Sequence, residues 1–258
     1  MSLVKLTNVD AAPWGKFLLR QFNLELTAGE VLGIIGPNGA GKTSLLNILS
    51  GDVSPVRGSY ELLGRPMAAW EPLSRARVLA VLPQLSLLNF PYTVEEVILL
   101  GRTPHRSGHK RDRIILQEVL AATDTSRLQG RIYTQLSGGE KQRVQLARVF
   151  AQVWGDEGSP RLLLLDEPTT ALDLAHQQLI MESIRRLADT GCGVAMVAHD
   201  FNLVAAAANQ LVAISAGQPV SQGSPESVLT QSLFENIFGV QVTISTHPKS
   251  GHPLVIHL

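Results

Sequence analysis

One cysteine, Cys192, is all that the 258 residues contain, so the chain cannot form an intrachain disulfide. A reducing compartment suits that usage. A surplus of either charge is also missing: Lys+Arg and Asp+Glu each number 22. Nucleic-acid binders ordinarily carry a basic excess, so the balance argues against that class. No stretch reaches the roughly 18 uninterrupted apolar residues of a membrane-spanning helix, and any membrane role is expected to come through a partner. The opening MSLVKLTNVD alternates like a strand and lacks the basic flank, apolar core and cleavage site of a secretory leader, so no leader is expected. Internal repeats, heptads and low-complexity tracts are lacking as well.

What is present is an ordinary α/β composition, 45% apolar and 17% charged, on a length sufficient for one large domain or two small ones. Residues 4–9 and 22–26 alternate as strands, and 31–35 form a continuous apolar run of the kind covered on both faces. Residues 36–41 interrupt it, and 43–49 read as a helix ending near Gly51. From about 85 to 154 the spacing turns helical, over 94–100, 113–123 and 140–154. Leu146, Val149, Phe150 and Val153 mark one helix face. The β/α rhythm then resumes: a strand at 162–165, a helix at 176–188, a strand at 193–198, a hairpin of 211–215 with 219–222, and a short helix from 226.

Three motifs carry chemistry. The first is a glycine-rich run between a buried strand and a helix: Gly36, Pro37, Asn38, Gly39, Ala40, Gly41, Lys42 and Thr43, followed by Ser44. Glycines let the backbone curl so that successive N–H groups face phosphate oxygens, and the helix N-terminus adds its dipole. In that pattern Lys42 reaches the β- and γ-phosphates, Thr43 ligates Mg2+ and Ser44 supports the cradle. The second motif is the buried run 162–165 ending in Asp166 and Glu167. A strand-end carboxylate pair by itself is often a solvated turn. Downstream of a phosphate loop, Asp166 is expected in the Mg2+ shell and Glu167 on the attacking water. The third is Leu136, Ser137, Gly138, Gly139 and Glu140, a serine-capped helix start that makes a second anion site; alone, such a start is most often only a cap.

In this order, with Gln84, the ALD at 171–173 and His199, the motifs make the chain resemble the ABC ATPase family over essentially its whole length. The resemblance implies an α/β fold: a P-loop NTPase core of ABC type with an antiparallel β subdomain and an inserted α-helical subdomain. It implies one nucleotide-binding domain over 1–258, with the ATP-binding core at 1–84 and 156–258 and a helical signature subdomain at 85–155. It further implies ATP and Mg2+ as cofactors and a homodimer. Each site there combines the phosphate loop of one subunit with Ser137, Gly138, Gly139 and Glu140 of the other. By the same resemblance Trp14 stacks on adenine, Gln84 senses Mg2+ and water, Asp173 communicates between the sites and His199 contacts the γ-phosphate.

The run QLSLLNFPYTVEEVILLGRTPHR at 84–106 is similar to importers of metal chelates. The segments QRVQLARVFAQVW, GDEGSP and THPKSGHPLVIHL resemble hemin-importing ATPases in particular, with siderophore and vitamin B12 importers as the alternative. That branch implies two copies of an integral membrane permease docking near residues 85–96, an indirect periplasmic heme-binding protein, no nucleic acid, and a peripheral place on the cytoplasmic side of the bacterial inner membrane. A more distant alternative is a soluble ABC ATPase outside transport; those usually carry paired cassettes, coiled-coil insertions or basic extensions. His105, His109, His247, His252 and His257 show no ligand spacing and are expected in surface or packing roles.

Overall fold

A computed structural model describes residues 2–12, 18–84, 88–155 and 158–258 of the chain. The first half runs β1 (Ser2–Ala11), β2 (Leu19–Thr27), β3 (Val31–Ile35), α1 (Lys42–Ser50), β4 (Arg57–Leu62), β5 (Arg65–Pro66), α2 (Pro72–Val78), β6 (Leu79–Leu82), α3 (Val94–Leu100) and α4 (His109–Ala122). The second runs α5 (Gly138–Val153), β7 (Arg161–Asp166), α6 (Leu174–Asp189), β8 (Cys192–Val197), α7 (Phe201–Ala207), β9 (Gln210–Ser215), β10 (Gln218–Gly223), β11 (Val242–Thr246) and β12 (Pro253–His257). A six-stranded sheet of order β10-β9-β3-β8-β7-β6 forms the centre, parallel except for the hairpin strand β10. A four-stranded antiparallel sheet, β2-β1-β4-β5, lies beside it.

The central strands are uniformly apolar because both faces are covered, and successive side chains feed two different cores. Val31, Ile35, Leu163, Leu165, Val194 and Met196 join one hydrophobic cluster with residues of α3, α4, α5 and α6. Leu32, Ile34, Leu162, Leu164, Ala195 and Val197 join the other, with α1 and the antiparallel sheet. The fold is thus an α/β core with an antiparallel β part on one side and an inserted set of helices on the other.

Caps fix most helix starts. Thr93 and Glu96 form a reciprocal capping box at α3, Ser137 and Glu140 another at α5, and Asp173 and Asp200 cap α6 and α7. Helices α1, α2 and α4 have no side-chain cap, and α1 begins at Gly41 in the left-handed region. Five elements escape a reading by periodicity. Helix α2 passes directly into the four-residue strand β6 with no glycine or proline between them. Helix α7 has only seven residues, and the hairpin of β11 and β12 is too short for a clear period. Among the described residues no helix is long and apolar enough to cross a membrane.

Leu163 is fully buried in a strand flanked by parallel neighbours on both sides. Leu163→Ala should cost about 2–5 kcal/mol of unfolding free energy, read as a lower urea midpoint at unchanged slope.

Candidate functional site

The loop after β3 turns on glycine. Gly36 has φ 152°, and a Cβ there would lie 2.2 Å from the carbonyl oxygen of Ile214 in β9. Gly41 has φ 109°, and its Cβ would meet Leu18 O at 3.0 Å. The turn between β9 and β10 braces this loop, with Gly217 N–H donating to Ala40 O at 2.9 Å and Arg20 N–H donating to Gly217 O at 2.9 Å. A cavity of about 590 Å³ opens over the loop, lined by Asn38, Gly39, Gly41, Lys42, Thr43 and Ser44, with Gln84 and Glu167 across from them. Leu18, Ala216 and Gly217 complete the lining. None of these three was singled out in the sequence; of them only Gly217, a glycine in a hairpin turn, carries a signal that could have marked a close approach.

Lys42 is buried, and its Nζ donates to Gly36 O at 2.8 Å and Pro37 O at 2.9 Å. Two of its three donors are therefore spent on the loop and one remains. Burial lowers its pKa, and the charges of Glu167 and Asp166 work the other way. Thr43 Oγ1 donates to Asp166 Oδ2 at 3.2 Å, whereas Asp166 Oδ1 is buried without a partner. Burial holds the Asp166 carboxyl above the usual carboxylate range, partly offset by the Thr43 hydroxyl. A buried, unpaired carboxylate oxygen beside a threonine hydroxyl is the donor set that a hard divalent cation takes, so these residues fit Mg2+.

Glu167 follows with φ 52°, a left-handed conformation that costs a non-glycine residue about 1 kcal/mol. Its N–H donates to Val197 O at 3.2 Å. The strained backbone sends the carboxylate into a fixed set of donors. Oε1 accepts from Gln84 Nε2 at 3.3 Å and from His199 Nε2 at 2.7 Å, and Oε2 accepts from Thr170 Oγ1 at 3.2 Å. Strain held this firmly points to function.

The structure therefore brings the loop residues, Gln84, Asp166, Glu167 and His199 together. It does not bring the 136–140 segment to them, since none of those residues lines the cavity. Ser137 Oγ accepts from Glu140 N–H at 3.4 Å while Glu140 Oε2 accepts from Ser137 N–H at 2.8 Å. Space around Gly138 is open, and a Cβ at Gly139 would lie 2.9 Å from Ala171 O. Asp173 caps α6, accepting from His176 N–H at 2.9 Å and from its Nδ1 at 2.8 Å. Trp14 lies outside the described residues. Of the histidines set aside in the sequence, His247 and His252 stack 4.8 Å apart, and among the described residues no group of three metal-binding side chains forms.

Comparison with known proteins agrees with this geometry. Residues 19–170 match the family model described as ABC transporter. The Hemin import ATP-binding protein HmuV of Pseudomonas putida is 47% identical over 240 residues, covering 93% of this chain and 93% of that protein. Its counterpart of the same name in Gloeobacter violaceus is 48% identical over 259 residues, covering 99% and 94%. A solved ATP-binding subunit of an ABC transporter superposes with TM-score 0.80 at 21% identity, covering 92% of this chain and 96% of that one. An ATP-binding cassette solved as a dimer in a post-hydrolysis state with ADP and Pi superposes with TM-score 0.75 at 27% identity, covering 86% and 98%.

Because ionisation of Asp166 is disfavoured in the fold, it opposes folding above the ordinary carboxylate pKa and is neutral below it, where the group is protonated folded and unfolded alike. Asp166→Asn should stabilise the ligand-free chain near pH 7 by on the order of 1 kcal/mol, with the gain vanishing below about pH 4. Denaturant unfolding of both proteins at the two pH values checks this.

Proposed function

The chain belongs to the ABC transporter family of ATP-binding proteins, and on that footing we propose that it is the ATP-hydrolysing subunit of a bacterial hemin importer. The hemin assignment is supported by relatives of that name at 44–48% identity over more than nine-tenths of this chain. The observation that carries the chemistry is the convergence of Lys42 and Glu167 on one glycine-lined cavity, with Asp166 hydrogen-bonded to Thr43 in its wall.

Phosphoryl transfer to water needs positioning and charge neutralisation more than covalent help. Backbone N–H groups of residues 39–44 and the uncapped start of α1 hold the phosphates of ATP. Lys42, already drawn over the loop, turns its remaining donor and its charge to the β- and γ-phosphates. Thr43, Asp166 and Gln84 would hold Mg2+, which would supply positive charge to offset the negative charge that develops in phosphoryl transfer. Glu167 orients and deprotonates the attacking water, and its three donors keep the carboxylate aimed. His199, which touches Glu167, contacts the γ-phosphate, and Trp14 stacks on the base.

A single chain leaves Ser137, Gly138, Gly139 and Glu140 away from its own cavity, which supports a head-to-tail homodimer in which each subunit supplies that helix start to its mate's ATP. Asp173, at the head of α6, then links the two sites. The helical part, 85–155, moves against the core at 1–84 and 156–258, with Gln84 as the joint that reads the nucleotide. Two copies of an integral permease dock on this part, fed by a periplasmic heme-binding protein, and hold the ATPase on the cytoplasmic face of the inner membrane.

Glu167→Gln keeps the shape but removes the base. Turnover should fall by about 10²–10⁴ while ATP binding persists and closed dimers accumulate, read by phosphate release and size-exclusion chromatography. Ser137→Arg and Lys42→Ala should each be inactive alone. Mixed, they form pairs with one intact composite site, so activity should exceed the sum of the parents; a mixture no more active than its parents argues against sites shared between subunits.

A further inference from the structure

Glu140 brings a charge of the wrong sign to the task proposed for its helix. It lies in the first turn of α5, where Oε2 accepts from Ser137 N–H at 2.8 Å. The hydrogen bond from Ser137 N–H holds its carboxyl below the usual carboxylate range against partial withdrawal from water, and the charge of Arg131 helps. Within one subunit a negative charge is favourable there, because it faces the positive end of the helix. Once a mate's ATP is brought to the same helix start, the carboxylate faces a polyphosphate.

The structure sets one cation against that charge. Arg131 Nη1 donates to Glu140 Oε1 at 3.1 Å, so each carboxylate oxygen has a donor. Among the described residues no other cation pairs with Glu140. Lys141, next along the chain, places its Nζ over the Tyr133 ring, 6.0 Å from the centroid. The backbone that carries Arg131 is well fixed. Its N–H donates to Leu128 O at 2.9 Å, its carbonyl accepts from Val94 N–H at 2.9 Å, and Tyr133 N–H donates to Tyr92 O at 2.8 Å. The guanidinium is half-exposed, so the pair adds little to stability, and Arg131 lines no part of its own chain's nucleotide cavity.

We propose that Arg131 is a positioning residue for the shared site: it offsets the charge of Glu140 and holds that carboxylate on Ser137 N–H, so that the helix start accepts the mate's γ-phosphate. The proposal rests on the reading in which each site is shared between two subunits. Arg131 touches no reacting atom and acts through Glu140. The glutamate fastens the cap, and the arginine removes the repulsion that a capping anion would otherwise direct at phosphate. A glutamine at this position caps without the charge. Dependence on Arg131 therefore follows the charge at residue 140.

The test is a double-mutant cycle in full-length chains that also carry Glu167→Gln, so that they pair on ATP without turning it over. Size-exclusion chromatography reads the ATP concentration at half-maximal pairing. Arg131→Met should raise that concentration about three- to tenfold, and by less than about twofold once Glu140→Gln is also present. Arg131→Lys should recover most of the loss. Raising KCl from about 0.05 to 0.5 M should shrink the Arg131→Met penalty, because salt screens partly exposed charges. A merely structural role would respond neither to residue 140 nor to salt. If Arg131→Met does not fold, Arg131→Gln completes the same cycle. An equal penalty with and without Glu140→Gln overturns the proposal, since Arg131 then acts on the fold or on phosphate directly. Pairing of the folded Arg131→Met chain at the parent's ATP concentration overturns it too. No ATP-driven pairing in the Glu167→Gln parent, or no complementation between Ser137→Arg and Lys42→Ala, sinks the shared-site reading and this proposal with it. Pairing and complementation without the coupling defeat the proposal alone.

Discussion

A carbonyl stands where a side chain would have to go: Ile214 O lies 2.2 Å from the Cβ position of Gly36. Everything at the nucleotide site depends on that approach. It lets the β9–β10 turn lean on the loop, so that Gly217 closes onto Ala40 and β2 closes onto Gly217. The loop is braced by the central sheet on one side and the antiparallel sheet on the other. Its backbone is therefore shaped before any phosphate arrives, and binding does not have to bear the cost of ordering it. A side chain at Gly36 would displace the turn and release all three elements together.

The site is purchased with stability, and the unmet polar groups show where. Lys42 is withdrawn from water, Asp166 keeps one oxygen unpaired, Glu167 sits in a conformation that favours glycine, and α1 starts without a cap. The two-sided central sheet supplies the reserve that tolerates these losses. Two arginines sharpen the contrast. Arg161 is buried too, yet its guanidinium donates to Val153 O, Ser159 O, Thr190 O and Thr190 Oγ1, so it needs nothing further and serves the fold alone. Arg148 is half-buried, and its Nε makes no hydrogen bond.

Much of this was legible beforehand for a physical reason. A parallel strand covered on both faces must be a continuous apolar run, so 31–35 and 162–165 announced themselves, and the carboxylates at the end of the second could only stand at the sheet's ligand edge. Serine followed by two glycines announced the start of α5. What stayed hidden lies in contacts between distant segments. Leu18 and Ala216 reach the cavity only because two hairpins meet there, and neither carries a chemical signal. Helix α2 and strand β6 run together without a breaker, so LSRARVLAVL shows no boundary. The strain at Glu167 is equally invisible in a sequence, because a positive φ at glutamate follows from its neighbours and not from its own preference.

The same logic extends to the edge that a second subunit is proposed to meet. Asp173 is bridged by His176 to Asp124, with His176 Nε2 3.3 Å from Asp124 Oδ2, and Asp124 Oδ2 accepts from Arg143 NH1 at 3.2 Å. Arg143 belongs to α5, whose first turn carries the serine cap. One polar chain thus fastens the head of α6 to the body of the helix that presents Ser137. Neither end is free to reorient without breaking a contact in the middle. Exposed ion pairs contribute little to stability one by one, so the value of this chain lies in geometry. Two surfaces that must engage one partner together are held in fixed relation beforehand. In the proposed pair, closure around ATP would then order the partner's position and not the internal arrangement of each subunit, leaving more of the binding free energy to favour the closed state.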